Sequence, residues 1–360
     1  MKPTQALHDL GQSLWLDNIT REILDNGTLR RYVDELSVTG LTSNPTIFDE
    51  AIGNGSAYDE GIRKKARAGL LGETLFLELA LEDLRRAADV FRPVYDRTDG
   101  TDGWVSMEVS PLLASDTKAT IESALHIHRL ADRPNLYVKI PGTAEGVPAI
   151  EAAIFAGVPV NVTLLFSREQ YLAVAEAYMR GLERRIAAGL SPRINSVASL
   201  FVSRWDRAAI DTVPPELRNR LGIAIGMRTY RAHCELLETK RWRDLAAAGA
   251  RKQRMLWAST GVKDPKAPAD LYVTAFAAPE TIDTMPEKTL LSFAESGHVK
   301  SAMPKDGGDA EDVLSRFAQA GVDVDALAAK LQIDGAQSFV KSWAELMQRI
   351  AEKGAALATS

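Results

Sequence analysis

The chain has 360 residues, 46% of them hydrophobic, and a formal net charge of −5. That is enough apolar material for one large barrel or two ordinary domains, and the lack of any basic block argues against nucleic acid as a partner. No apolar run reaches transmembrane length, so no membrane association is expected, and the one cysteine, Cys234, rules out an internal disulfide.

Met1-Lys2-Pro3-Thr4-Gln5 has no apolar region of signal-peptide type, so a soluble, cytoplasmic protein is expected. Residues 3–11 read as a short helix and residues 13–19 as a strand. A helical pair broken at Asn26-Gly27 follows, then a second strand over residues 38–44 that Pro45 stops. Residues 45–97 are helical with a break at Gly53/Gly55. The third strand spans residues 104–110, and Asp116 caps a helix to about Ala131. The fourth strand carries Lys139 and ends at Pro141-Gly142; Glu145 opens the helix after it. The fifth strand is expected over 158–166, with Ser167 capping a long amphipathic helix, and the sixth over 195–203. A helical stretch over 204–250 leads to a seventh strand over 254–260 and an eighth over 271–278. The remainder, 287–357, is mostly helical, and no linker divides the chain, so residues 1–360 are expected to form a single domain.

Eight alternations of strand and helix point to an α/β fold, a (β/α)8 TIM barrel with additional helices including a C-terminal helical segment. An open doubly wound sheet is the alternative. Period-two alternation favours the barrel. Asp17 shares a face with Ser13 and Trp15, Asn44 with Thr42 and Gly40, and Glu108 with Trp104 and Ser106. Lys139 shares one with Tyr137. Asn161, Thr163 and Leu165 line up in the fifth strand, Asn195, Val197, Ser199 and Phe201 in the sixth, and Trp257 and Ser259 in the seventh. The opposite faces are mostly aliphatic. Polar groups thus collect near the carboxyl ends of successive strands, where barrel active sites are built.

Lys139 stands out among them. An ammonium near the end of a buried strand is costly unless it is paired or gives up its proton. A neutral amine attacks carbonyls, which makes Lys139 a Schiff-base candidate; the plainer alternative is a strand-end lysine reaching solvent. No phosphate-cradling GxxxxGK[ST] is present, and Gly53-Asn54-Gly55-Ser56 lacks a third glycine. His8, His126, His128, His233 and His298 show no zinc spacing, so neither a metal nor another cofactor is expected.

Two segments resemble the signatures of the transaldolase family. Gly40-Leu41-Thr42-Ser43-Asn44-Pro45-Thr46-Ile47-Phe48 is similar to the first, and Tyr137-Val138-Lys139-Ile140-Pro141-Gly142-Thr143-Ala144-Glu145-Gly146 to the second. The resemblance runs from about Leu10 to Leu290 and is nearest to the group with longer chains. It implies a class I aldolase-type barrel, with Lys139 as the Schiff-base lysine. Asp17 would handle the proton of the donor's carbon-4 hydroxyl. Glu108 would be the acid/base of imine formation, working through a water held by Thr163. Asn44 and Asn161 would bind the dihydroxyacetone part, and Ser199, Arg204 and Ser259 the phosphate, with Phe201 as pocket wall. The family often has an arginine soon after that serine; here Thr260-Gly261-Val262-Lys263 follows, and Lys263 would supply the charge.

The activity implied is transfer of a dihydroxyacetone unit from sedoheptulose 7-phosphate to glyceraldehyde 3-phosphate, a step of the pentose phosphate pathway. Sugar phosphates are then the partners, and a homodimer is compatible with the sequence. Two rivals remain open. One is a fructose 6-phosphate aldolase; related aldolases tend to be shorter and to carry tyrosine where this chain has Phe201. The other is a non-catalytic sugar-phosphate-binding barrel, which would have no use for a buried neutral amine.

Overall fold

The structure, a computed structural model, describes residues 1–299 and 301–358. Eight strands are present: β1 (Ser13–Asp17), β2 (Val38–Thr42), β3 (Val105–Glu108), β4 (Leu136–Pro141), β5 (Val160–Leu165), β6 (Ser196–Phe201), β7 (Gln253–Ala258) and β8 (Ile282–Met285). Neighbours pair in parallel in the order β2-β1-β8-β7-β6-β5-β4-β3. The two outer strands of that order meet as well. Gly103 N donates to Thr39 O at 2.9 Å and Leu41 N to Trp104 O at 3.0 Å, so the sheet curls into a (β/α)8 barrel rather than an open sheet.

Helix α1 (Pro3–Asp9) precedes the barrel. After β1 come α2 (Arg21–Asp25) and α3 (Thr28–Leu36); after β2, α4 (Pro45–Gly53), α5 (Asp59–Arg67) and α6 (Gly72–Arg97). Single helices follow β3, β4 and β5: α7 (Thr117–Ala131), α8 (Gly146–Ala156) and α9 (Arg168–Ala187). Next are α10 (Ser203–Ala209), α11 (Leu221–Leu237) and α12 (Lys240–Ala247) after β6, and α13 (Leu271–Ala275) after β7. The chain ends with α14 (Glu287–Ser296), α15 (Ala310–Gln319) and α16 (Val324–Ala358). Helix starts follow local chemistry. The side chains of Asn44, Asp116 and Ser167 each accept a hydrogen bond from the amide three residues on, worth about 1 kcal/mol per cap.

Alternation along each strand divides the apolar residues into two packed layers. Leu16, Leu41, Val138, Ile140, Val162 and Leu200 meet the helices. Trp15, Trp104, Tyr137, Val197, Leu256 and Ile282 fill the lumen. Trp104 stacks on Tyr137 with ring centroids 4.0 Å apart. Gly40 is required there: a Cβ on it would lie 2.6 Å from Trp15 Nε1 and 2.7 Å from Trp104 O. This plug of rings makes the lumen a solid floor, on which the polar residues at the carboxyl ends stand.

Three expectations need correction. Residues 271–278 are not the eighth strand. Leu271–Ala275 is a helix whose Tyr272 and Val273 are buried, and the strand is Ile282–Met285, set between Thr281 and Pro286. Short apolar runs do not distinguish helix from strand by period alone. In β7 the lumen face carries Leu256 and Ala258, whereas Trp257 points outward and stacks on Phe276 at 4.7 Å; Ser259 lies past the strand end. In β5 the register slips between Val162 and Leu165, and Leu164 has φ 59°. That left-handed residue puts Leu164 on the inner side and sends Leu165 outward, so Leu165 does not share a face with Asn161 and Thr163.

Candidate active site

At the carboxyl end of the barrel, strand register brings the sequence candidates together. Glu108 on β3 is level with Lys139 on β4, and Lys139 with Asn161 on β5. Lys139 is 4% exposed and Glu108 5%, so both charges are buried. Lys139 Nζ lies 3.2 Å from Glu108 Oε2 and donates to Ser43 O at 3.1 Å. Neither carboxylate oxygen of Glu108 has an aligned hydrogen bond from the protein, and the same holds for the buried Thr163 hydroxyl. The lysine's charge is therefore held by proximity rather than by a saturated network. Burial raises the Glu108 carboxyl above its ordinary pKa, while Lys139 pulls it partly back.

Asp17, at the end of β1, is partly exposed and lines the same cleft. Thr42 Oγ1 donates to Asp17 Oδ1 at 2.7 Å and lies 2.6 Å from Thr284 Oγ1. Desolvation lifts the Asp17 carboxyl as well, opposed first by Lys139 and then by the Thr42 hydrogen bond. Two carboxylates thus flank one amine in different settings: Asp17 is oriented by a hydroxyl, and Glu108 faces the lysine.

Asn161 and Ser199 form a fixed pair beside the lysine. Ser199 Oγ donates to Asn161 Oδ1 at 2.7 Å, and Asn161 Nδ2 donates to Ser106 Oγ at 3.0 Å. Asn44 both caps α4, accepting from Ile47 N at 3.1 Å, and lines the cleft. On the other side stand Phe201, Arg204 and Ser259. The Arg204 guanidinium lies 5.0 Å from the Phe201 ring and makes no ion pair among the described residues. Burial lowers its pKa. Ser259 has φ 57°, a backbone state that costs a non-glycine residue of order 1–3 kcal/mol; it turns the hydroxyl to 2.9 Å from Ser203 Oγ, at the start of α10.

Lys263 is the outlier. It is exposed and lines a neighbouring cleft with Ser203, Asp206, Arg207, Asn219 and Tyr272, although its charge still reaches Asp17. Sequence reasoning missed four residues. Thr42 holds Asp17 and pairs with Thr284, Ser43 O accepts from Lys139, and Phe339 of α16 closes the cleft from above. Thr42 and Ser43 lie within the Gly40–Phe48 segment; for Phe339, about 200 residues from Lys139, no local signal exists.

The cleft bounded by these side chains has a volume of about 90 Å³. Among the described residues no group of three or more His, Cys, Asp or Glu is arranged to hold a metal ion. No described helix is long and apolar enough to cross a membrane. What the arrangement offers is a buried amine, two carboxylates and a free guanidinium at the far wall.

The sequence matches the transaldolase/fructose-6-phosphate aldolase family over residues 14–350. It is 45% identical to the transaldolase of Thermobifida fusca (strain YX), with 98% of this chain and 99% of that one aligned. It is 43% identical to the transaldolase of Saccharopolyspora erythraea, with 97% of each chain aligned, and 43% identical to that of a Parafrankia species (strain EAN1pec), with 98% of each. With these likenesses and a lysine set at the carboxyl end of its fourth barrel strand, the chain belongs to the transaldolase/fructose-6-phosphate aldolase family.

Proposed function

We propose that this chain is a transaldolase. It moves a dihydroxyacetone unit from sedoheptulose 7-phosphate to glyceraldehyde 3-phosphate, giving erythrose 4-phosphate and fructose 6-phosphate. The observation that carries the site assignment is the buried Lys139 amine, 3.2 Å from Glu108 and in one cleft with Asp17. The whole chain, 1–360, acts as one domain in this reading, in the cytoplasm and as a homodimer.

Lys139 attacks carbon 2 of the ketose. Glu108 is beside the amine and supplies the proton for loss of water, through a water that Thr163 holds. The raised Glu108 pKa favours a carboxyl that keeps a proton to give. The protonated imine then accepts the electrons of the carbon 3–carbon 4 bond as Asp17 takes the carbon-4 hydroxyl proton. The aldose leaves, the three-carbon enamine stays on Lys139, and it attacks the second aldose. Asn44 and Asn161 orient the three-carbon part; the bond from Ser199 to Asn161 supports a place for Ser199 beside them rather than at the phosphate, the role that the resemblance implies. Arg204 and Ser259 bind the phosphate, a task suited to an unpaired guanidinium. Lys263 adds long-range positive charge from the adjoining cleft.

The test is trapping. Incubation with fructose 6-phosphate followed by borohydride should leave a three-carbon or whole-sugar adduct on Lys139, mapped by mass spectrometry. An unmodified Lys139, or adducts on surface lysines alone, would sink this assignment. Phe201 supports the transferase over the aldolase that releases the unit free: its ring offers no hydroxyl to protonate the enamine.

A further inference from the structure

Helix α16 roofs the mouth of the barrel. Gln332 Nε2 donates to Gly142 O and to Leu164 O, each at 3.0 Å, and so clasps the helix to the ends of β4 and β5. Gly335 lets it settle close: a Cβ there would be 3.0 Å from Leu164 Cδ2 and 3.1 Å from Arg204 Nη1. Further along, Thr46 and Ser342 pair at 2.8 Å, and Arg349 donates to Asp49 Oδ1 at 2.7 Å. Between these ties Phe339 hangs into the cleft. Its ring centroid is 5.8 Å from Lys139 Nζ and 5.8 Å from Arg204 Cζ, and the residue is buried.

One ring therefore lies close to both the reacting nitrogen and the guanidinium of the phosphate-binding wall. The transfer reaction leaves a three-carbon enamine waiting on Lys139 while one aldose departs and another arrives. That enamine has two fates. Its carbon 3 forms a bond to the aldehyde carbon of the acceptor, whose oxygen takes a proton from Asp17. Alternatively, one water is consumed: its proton goes to carbon 3, its hydroxide adds to carbon 2, and the carbinolamine collapses, the hydroxyl proton passing to nitrogen. Free dihydroxyacetone and Lys139 result. The first fate is transfer and the second is hydrolytic release. Their ratio depends on how much water reaches the lysine during acceptor exchange.

We propose that Phe339 is a specificity-determining residue that favours transfer over release, by covering the Lys139 nitrogen with an apolar ring while acceptors exchange at the Arg204 side. The cleft beneath it, about 90 Å³, is small against the roughly 300–1,000 Å³ usual for small-molecule sites, so removal of one large ring changes its hydration sharply. The ring also attracts the Arg204 guanidinium, 5.8 Å from its centroid, which helps to hold it in place while Lys139 carries the enamine. The proposal rests on the transaldolase reading.

The experiment compares two rates on the full-length protein. Dihydroxyacetone release is measured with fructose 6-phosphate alone, and sedoheptulose 7-phosphate formation after addition of erythrose 4-phosphate. In Phe339→Ala the ratio of release to transfer should rise tenfold or more, with the borohydride adduct on Lys139 retained; Phe339→Leu should return most of the way to the parent ratio. An unchanged ratio in Phe339→Ala, including an equal fall of both rates, overturns the proposal. If that variant does not fold, Gln332→Ala decides, since it loosens the clasp from outside the cleft: a raised ratio supports the proposal and an unchanged one overturns it. Failure of the transaldolase reading itself looks different, because the parent protein would then show no transfer: dihydroxyacetone release alone if it is the aldolase, and no adduct on Lys139 if it forms no Schiff base.

Discussion

The two ends of the barrel lumen hold buried charges in opposite ways. At the amino-terminal end, Arg254 donates to Glu280 O, Thr101 O, Thr281 O and Ser13 Oγ, at 3.1, 3.0, 3.0 and 2.7 Å. Asp102 accepts from the Ser13 hydroxyl, from Trp15 Nε1 at 2.8 Å and from Gly103 N at 3.0 Å. All three Arg254 guanidinium nitrogens and both Asp102 carboxylate oxygens thus have partners. At the carboxyl end, Lys139 has one carbonyl and one carboxylate, and Glu108 has no aligned donor. The floor of rings, Trp15, Trp104 and Tyr137, separates the two. A saturated network stabilises, because each member would be expensive to leave alone; an unsaturated one keeps lone pairs and protons available for a substrate. In the proposed reaction the lower end acts as a clamp and the upper end as a reagent.

Lys139→Met is the largest test of that contrast. It should abolish the borohydride adduct and lower transfer by on the order of 10⁴-fold or more, as loss of a covalent nucleophile does elsewhere. Circular dichroism should still report a folded barrel, since one methionine fills the lysine's stem. Retained turnover would show that the upper end is not the reagent.

The two carboxylates come next. Asp17→Asn should still form the imine but fail at bond cleavage, so borohydride should trap mainly the uncleaved sugar. Glu108→Gln should slow imine formation itself, with little adduct of either kind at early times. Each should cost about 10²–10⁴-fold in transfer, the usual span for general acid–base catalysis. The division of roles is wrong if both variants trap the same species at the same rate.

Arg254→Met addresses the clamp. It strands the Glu280 and Thr101 carbonyls, leaves Thr281 O with Ser13 N alone and removes the donor to the Ser13–Asp102 pair, so unfolding by urea should show a loss of about 3–5 kcal/mol. Turnover per folded molecule should stay within about twofold, because the plug of rings isolates the site above. A large fall in turnover with little change in stability would erase the distinction between the ends.

The upper end was far more legible in the sequence than its surroundings. Asp17, Glu108 and Lys139 each occupy alternate positions of a strand with apolar neighbours on the other face, so period alone places them in the lumen. The same logic failed where backbone geometry departs from a regular strand. Leu164 and Ser259 take left-handed φ values at strand ends, which shifted Leu165 and detached Ser259 from its strand. Residues 271–278 carried a plausible strand composition, yet tertiary packing made Leu271–Ala275 helical: Tyr272 donates to Asp206 Oδ2 at 2.7 Å, and Phe276 stacks on Trp257. Phe339 could not be found at all from its neighbourhood. A ring on an amphipathic helix is ordinary core material until the fold shows which cleft it covers.

The smallest effect concerns a third kind of buried charge, one with neither a clamp nor a site. Asp283 points outward from β8 and is fully buried. Thr260 Oγ1 donates to its Oδ1 at 3.0 Å, while Oδ2 has no partner among the described residues. Burial pushes this carboxyl up to about 7, the Thr260 bond opposing only in part. The folded state therefore holds a proton that the unfolded chain, with an ordinary aspartate, releases near pH 4. Because the native pKa is the raised one, this group's contribution to stability is fully present below about pH 4 and is lost progressively up to about pH 7. Asp283→Asn keeps the acceptor for Thr260 and removes the titration. Its stability relative to the parent should rise across pH 4–7, by about 4 kcal/mol in all at pH 8, read as a growing difference in urea midpoint. A difference that does not change with pH would mean that Asp283 is ionised throughout, with solvent reaching Oδ2.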